Sequence, residues 1–107
     1  MTVTLMVSDR VAQQLNNVSW AQNEDIETKL SHLVEAEHRR RLARYRLTDR
    51  RLTDKYGMSF NEFERRDMIR TSGYTWEVES DAIAWETAID GIATMEQQLR
   101  ELFNGDG

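Results

Sequence analysis

Residues able to do chemistry are few in this 107-residue chain. It has two histidines and no cysteine, which excludes thiolate nucleophiles, cysteine metal ligands and disulfides. The sharpest local pattern is Glu35-Ala36-Glu37-His38, which on a helix places Glu35 and His38 on one face, as in carboxylate di-metal sites. Those sites need two such segments and two further glutamates, whereas this chain has one segment. It also has no glycine-rich phosphate loop or nucleophile elbow. We therefore expect a protein that is not an enzyme and that uses no metal or cofactor.

The charge is distributed unevenly along the chain. Residues 1–38 contain two bases and six acids, a net charge of −4; residues 39–70 contain eleven bases and five acids, a net charge of +6. Residues 71–107 contain one base and eight acids, a net charge of −7. The basic part predicts a solvated helix face, a nucleic-acid contact or a contact with an acidic partner. The arginines that form this basic patch are Arg39, Arg40, Arg41, Arg44, Arg46, Arg50 and Arg51.

The first residues alternate in the manner of a short β-strand. The period of two places Val3, Leu5 and Val7 on one face, with Thr2, Thr4 and Met6 on the other. A lone strand leaves its backbone donors and acceptors without partners, and no second convincing strand follows. The expected neighbour is therefore the same strand of a second copy.

The rest of the sequence has helical spacing and contains no proline. Ser8 is the predicted N-cap of a short helix and Asn23 that of a long one. Ser59 and Glu62 form an S-x-x-E capping box, the best-defined helix start in the chain. The predicted helices cover residues 9–17, 24–56, 60–70 and 76–103.

A strand followed by a short capped helix, a polar turn and a longer helix resembles the ribbon-helix-helix family of prokaryotic DNA-binding proteins over residues 2–45. The resemblance implies a short N-terminal β-strand followed by helices in a homodimer, and the helical spacing of the later residues adds C-terminal helices, so the expected fold is mainly α. In that family the paired strands enter the major groove, so the residues expected to face operator DNA are Thr2, Thr4 and Met6. Many members are antitoxins, whose C-terminal segment binds a toxin. We therefore expect a dimerisation region over residues 1–57 and an acidic partner-binding region over residues 58–107.

The leading functional hypothesis is an antitoxin-like cytoplasmic protein that binds a protein toxin. The longest apolar run, Leu5-Met6-Val7, is too short to cross a bilayer, so no membrane contact is expected. The tryptophans of the acidic C-terminal region are candidate partner contacts, because interface centres favour aromatic residues and acidic neighbours attract a basic partner. Alternatively, these tryptophans form ordinary core. A structural or adaptor subunit without DNA binding is the second hypothesis. The predicted partner-binding residues are Trp76, Val78, Trp85, Ile89, Glu77, Glu79, Asp81 and Glu86.

Overall fold

The computed structural model describes residues 2–17 and 25–104, and the regular structure in these ranges is entirely helical. The chain divides into two units, Met1–Val34 and Glu35–Gly107. None of the helices in the described ranges is long and apolar enough to cross a membrane. The helices are α1 (Asp9–Asn17), α2 (Ile26–Tyr56), α3 (Phe60–Arg65), α4 (Met68–Thr71) and α5 (Trp76–Asn104).

The predicted N-terminal strand is wrong. Residues 2–8 have no regular secondary structure, and the described part of the chain contains no β-strand. Val3 and Leu5 are each 66% exposed, and Met6, on the opposite face of the expected strand, is 97% exposed. A strand is defined by hydrogen bonds to a neighbouring strand, which the alternation of side chains alone does not supply. The ribbon-helix-helix architecture therefore does not describe this fold.

The first unit contains α1 and the start of α2. Ser8 Oγ accepts a hydrogen bond from Val11 N at 3.2 Å, which confirms the predicted cap of α1. The predicted cap Asn23 lies outside the described residues. Asp25 precedes α2, and its Oδ1 accepts a hydrogen bond from Thr28 N at 2.8 Å; this bond lowers the pKa of Asp25. The long helix therefore starts with an acidic cap beside its positive dipole end.

A side-chain contact joins the two helices of this unit. Lys29 is buried, and its Nζ donates to Asn16 Oδ1 at 2.5 Å. Because a buried ammonium group needs hydrogen-bond acceptors, this bond offsets part of the cost of desolvating Lys29. Leu15 is the apolar residue of α1 that becomes buried.

The predicted helix over residues 60–70 is broken at Asp67. Ser59 Oγ accepts from Glu62 N at 3.2 Å, so the predicted capping-box start of α3 is confirmed. Asp67 then adopts a left-handed conformation with φ of 52°, and α4 begins after it. Asp is among the few non-glycine residues that tolerate this region. The chain turns again at Gly73 and Tyr74, with φ of 78° and 57°, before α5 begins.

An aromatic cluster of four rings, from Tyr56, Phe60, Phe63 and Trp85, forms the main core of the second unit. Trp85 is fully buried, and its ring centroid lies 5.1 Å from that of Phe63, 5.4 Å from Phe60 and 5.9 Å from Tyr56. Rings at these separations interact favourably beyond their area burial. Leu52 of α2 and Val78 of α5 are buried in the same core. The core therefore fixes the C-terminal end of α2 against α3 and the first half of α5.

A second core lies further along α2 and α5, where Leu42, Met95 and Leu99 are buried. Tyr45 packs beside them, and its ring lies against Gly91 so closely that a Cβ at residue 91 would overlap ring atoms. The two helices are antiparallel, because Tyr56 contacts Asp81 near the start of α5 and Arg39 lies over Phe103 near its end. Gly91 is therefore a site of close helix approach rather than a helix defect.

Candidate partner-binding site

A polar network joins the end of α2 to the start of α5. Tyr56 Oη donates to Asp81 Oδ2 at 2.6 Å, and Lys55 Nζ donates to the same oxygen at 2.6 Å and to Glu77 Oε1 at 2.9 Å. Burial raises the pKa of Asp81, but the bonds from Lys55 and Tyr56 outweigh burial and leave that pKa below its usual value. Burial and the Asp81 carboxylate raise the pKa of Tyr56 to about 12. Two predicted partner-binding acids, Glu77 and Asp81, are thus engaged within the chain.

This network predicts a loss of stability in alkali. Folded Tyr56 keeps its proton up to about pH 12, whereas unfolded tyrosine loses it near pH 10. The unfolded state therefore binds fewer protons between these values, and the free energy of unfolding falls as pH rises from 10 to 12. The Tyr56→Phe variant should show a shallower fall in urea unfolding over this range.

The exposed Tyr74 supplies the matched control for this prediction. Tyr74→Phe should keep the full slope of the unfolding free energy between pH 10 and 12. An identical slope in Tyr56→Phe and in the unsubstituted chain would show that Tyr56 does not couple its proton to folding.

Two predicted partner-binding side chains, Trp85 and Val78, belong to the interior rather than to a surface. Trp85 and Val78 are buried, and Ile89 is half-buried against the same core. The Trp85 Nε1–H donates to Asp49 Oδ1 at 2.9 Å, which satisfies the indole in place of water. Trp85 therefore fits the alternative interpretation, ordinary core packing, and Val78 is buried in the same core.

Trp76 has the opposite environment. It is 81% exposed at the first position of α5, and Ile83, seven residues later on the same face, is 67% exposed. Tyr74, in the turn before α5, is 60% exposed. Glu79 and Glu86 are exposed, and neither forms an ion pair with a residue in the described ranges. We call Tyr74, Trp76, Glu79, Ile83 and Glu86 the Trp76 face.

Sequence reasoning missed two members of the Trp76 face, Tyr74 and Ile83. Ile83 does not fall in the series that spaces the core side chains Val78, Ala82 and Trp85. The sequence signal for Ile83 is its position seven residues after Trp76, which places both side chains on one helix face outside the core series. Tyr74 follows a glycine in a turn, where helical periodicity carries no information.

The basic patch is partly neutralised within the chain. Arg39 Nε binds Glu35 at 2.8 Å, Arg40 and Arg41 pair with Glu37, and Arg46 binds Glu96 of α5 at 2.9 Å. Such exposed pairs contribute little stability each. Arg44 and Arg50, both exposed, form no ion pair with any residue that the structure describes. The solvated-face interpretation fits Arg39, Arg40 and Arg41 best.

The predicted DNA-facing residues Thr2, Thr4 and Met6 are exposed in the segment before α1. Without a strand, the alternation does not sort these side chains onto one face. Operator recognition through these residues stays a prediction. The β-strand that was expected to present them to DNA is not found in the described residues.

The Glu35 and His38 pair is not arranged as a metal site. Glu35 binds Arg39, and His38 Nδ1 is buried without a hydrogen-bond partner among the residues that the structure describes. Within residues 2–17 and 25–104, no three His, Cys, Asp or Glu side chains converge in a way that could hold a metal ion. Comparison of the whole sequence and fold with family models, curated proteins and solved structures gives no match.

Proposed function

We propose that the chain is an antitoxin-like protein that binds and neutralises a basic protein toxin through the Trp76 face. The observation that carries the proposal is the 81% exposure of Trp76 at the start of an acidic helix. A tryptophan side chain is the largest apolar surface that a protein can bury in an interface, and tryptophans are enriched among interface hot spots. Trp85 shows that the same sequence can bury a tryptophan completely when the core needs one.

Charge supports the class of partner. Residues 71–107 carry a net charge of −7, and Glu79 and Glu86 of the Trp76 face have no ion pair in the described part of the chain. Opposite charge on a partner accelerates association and disfavours acidic competitors. An apolar centre with an acidic rim is the arrangement that a basic protein surface complements.

The decisive experiment uses the product of the adjacent reading frame. We expect this product to arrest growth when expressed alone and to be neutralised when the present chain is expressed with it. The Trp76→Ala variant should lose neutralisation and bind the purified product about tenfold or more weakly by calorimetry, since truncating a hot-spot tryptophan costs at least about 2 kcal/mol.

Leu47 provides a matched control, because it is 65% exposed on α2, away from the Trp76 face. Leu47→Ala should neutralise and bind like the unsubstituted chain. A harmless neighbouring product, or equal affinity of the Trp76→Ala variant, would contradict the proposal. A harmless product that still binds the chain would favour the structural or adaptor hypothesis.

A further inference from the structure

A groove with a volume of about 570 Å³ lies where α2, α3 and α5 meet. Its lining combines apolar side chains, Phe60 and Ile89, with carboxylates from all three helices. Among the described residues, no lysine or arginine lines it. We call this cavity the acidic groove, and its main lining residues are Asp49, Phe60, Glu64, Glu86, Ile89 and Asp90.

The carboxylates of the acidic groove are not neutralised within the described part of the chain. Glu64, Glu86 and Asp90 are exposed and form no ion pair there. Asp49 Oδ1 accepts from Trp85 Nε1 at 2.9 Å and from Thr53 Oγ1 at 3.4 Å. Both bonds reach the same oxygen, so Oδ2 accepts none from the described residues. The groove therefore presents four negative charges and a free acceptor around an apolar surface.

The aromatic lining of the groove distinguishes between cations. The Phe60 ring is half-buried and held by Trp85 and Phe63, with centroids at 5.4 and 6.3 Å. A guanidinium group is planar, is weakly hydrated, stacks on aromatic rings and can bond two carboxylates at once. An ammonium group is a compact and strongly hydrated charge. The acidic groove thus suits an arginine side chain better than a lysine.

An adjoining cavity of about 200 Å³ adds room for an apolar side chain. It shares Phe60, Glu64 and Glu86 with the acidic groove and is also lined by Ile69 and Ala82. A segment that places an arginine in the groove can therefore place a neighbouring aliphatic side chain in this second cavity. Interface centres are more apolar than their rims, and arginine is the charged residue enriched in them.

We propose that the acidic groove receives an arginine side chain from a segment of the partner protein, with an aliphatic neighbour of that arginine in the adjoining cavity. The inference rests on the proposed function and adds which side chain of the basic partner the groove recognises. The complementarity lies in the aromatic ring and the four carboxylates that line the groove, none of which forms an ion pair within the described part of the chain.

The test is an NMR titration of the ¹⁵N-labelled chain with the blocked tripeptide Ac-Leu-Arg-Leu-NH₂. Saturable amide shifts should be confined to residues around the acidic groove and its neighbour. The matching lysine peptide should bind several-fold more weakly, and the citrulline peptide, which keeps the shape of arginine without its charge, about tenfold more weakly. Shifts spread over all acidic surfaces, or equal binding of the citrulline peptide, would overturn the proposal.

Two variants locate the site. The Glu64→Gln/Asp90→Asn variant removes two groove charges that lie outside the Trp76 face and should weaken the arginine peptide about fivefold to tenfold, as expected for two partly exposed charge pairs. Glu101→Gln changes one charge on α5 outside the groove and should leave peptide affinity unchanged. Equal losses in both variants would indicate nonspecific attraction and contradict the groove as the site.

The outcome separates this inference from the proposed function. If Trp76→Ala abolishes binding of the neighbouring product while Glu64→Gln/Asp90→Asn does not change it, the inference fails and the proposed function stands. If the groove variant instead alters the sedimentation of the chain by itself, a second copy occupies the groove and the partner proposal is overturned.

Discussion

Replacing Trp85 with alanine should destabilise the protein by about 3–5 kcal/mol, the usual cost of truncating a buried tryptophan. The side chain is fully buried among the rings of Tyr56, Phe60 and Phe63, so its removal leaves a cavity at the centre of the main core. It also leaves Asp49 without its indole donor. A domain of this size has a total stability of about 5–15 kcal/mol, so the loss should be visible as a large drop in the urea midpoint followed by circular dichroism.

Trp76 is the matched control, because it is the same residue type on the same helix but 81% exposed. Trp76→Ala should change the free energy of unfolding by less than about 0.5 kcal/mol, as surface substitutions do. Comparable destabilisation by the two substitutions would mean that the assignment of one tryptophan to the core and the other to the surface is wrong.

The Gly91→Ala substitution should destabilise the protein by about 1–3 kcal/mol, the cost of overpacking a close contact. Alanine is intrinsically favoured over glycine in a helix by about 1 kcal/mol, so helix propensity alone predicts the opposite sign. The added Cβ would overlap the Tyr45 ring, which is packed between α2 and α5. Steric overlap therefore dominates, and the unfolding midpoint should fall.

A double-mutant cycle separates the two effects. In a Tyr45→Ala background the obstructing ring is gone, and Gly91→Ala should become neutral or stabilising by up to about 1 kcal/mol. The same destabilisation in both backgrounds would show that Tyr45 is not the cause. Gly57 does not serve as the control, because its φ of 67° strains any side chain.

Local signals explain which parts of the fold were predictable. The caps at Ser8 and Ser59 and the start of α5 near Trp76 follow from hydrogen bonds and periodicities that a few neighbouring residues determine. The break at Asp67 was missed because an unusual φ at a non-glycine residue has no sequence signature. The N-terminal strand was wrong because strand formation depends on a distant neighbour, which alternation at residues 2–7 cannot provide.

The candidate site was predictable in its composition but not in its exposure. Sequence reasoning grouped Trp76 with Trp85 because both lie in one acidic, tryptophan-bearing helix. Only the packing of α2 and α3 against α5 decides that Trp85 becomes buried and Trp76 remains exposed. The acidic groove was not predictable, because Asp49, Glu64 and Asp90 come together only when three helices are assembled.

We propose that Trp76, and not Trp85, contacts the partner protein. The most direct test follows the indole N–H signals by ¹⁵N NMR while the unlabelled product of the adjacent reading frame is added, with the signals assigned by single Trp→Phe substitutions. The Trp76 signal should shift or broaden on complex formation, and the Trp85 signal should stay in place. A complex that forms while the Trp76 signal remains unchanged would contradict this proposal.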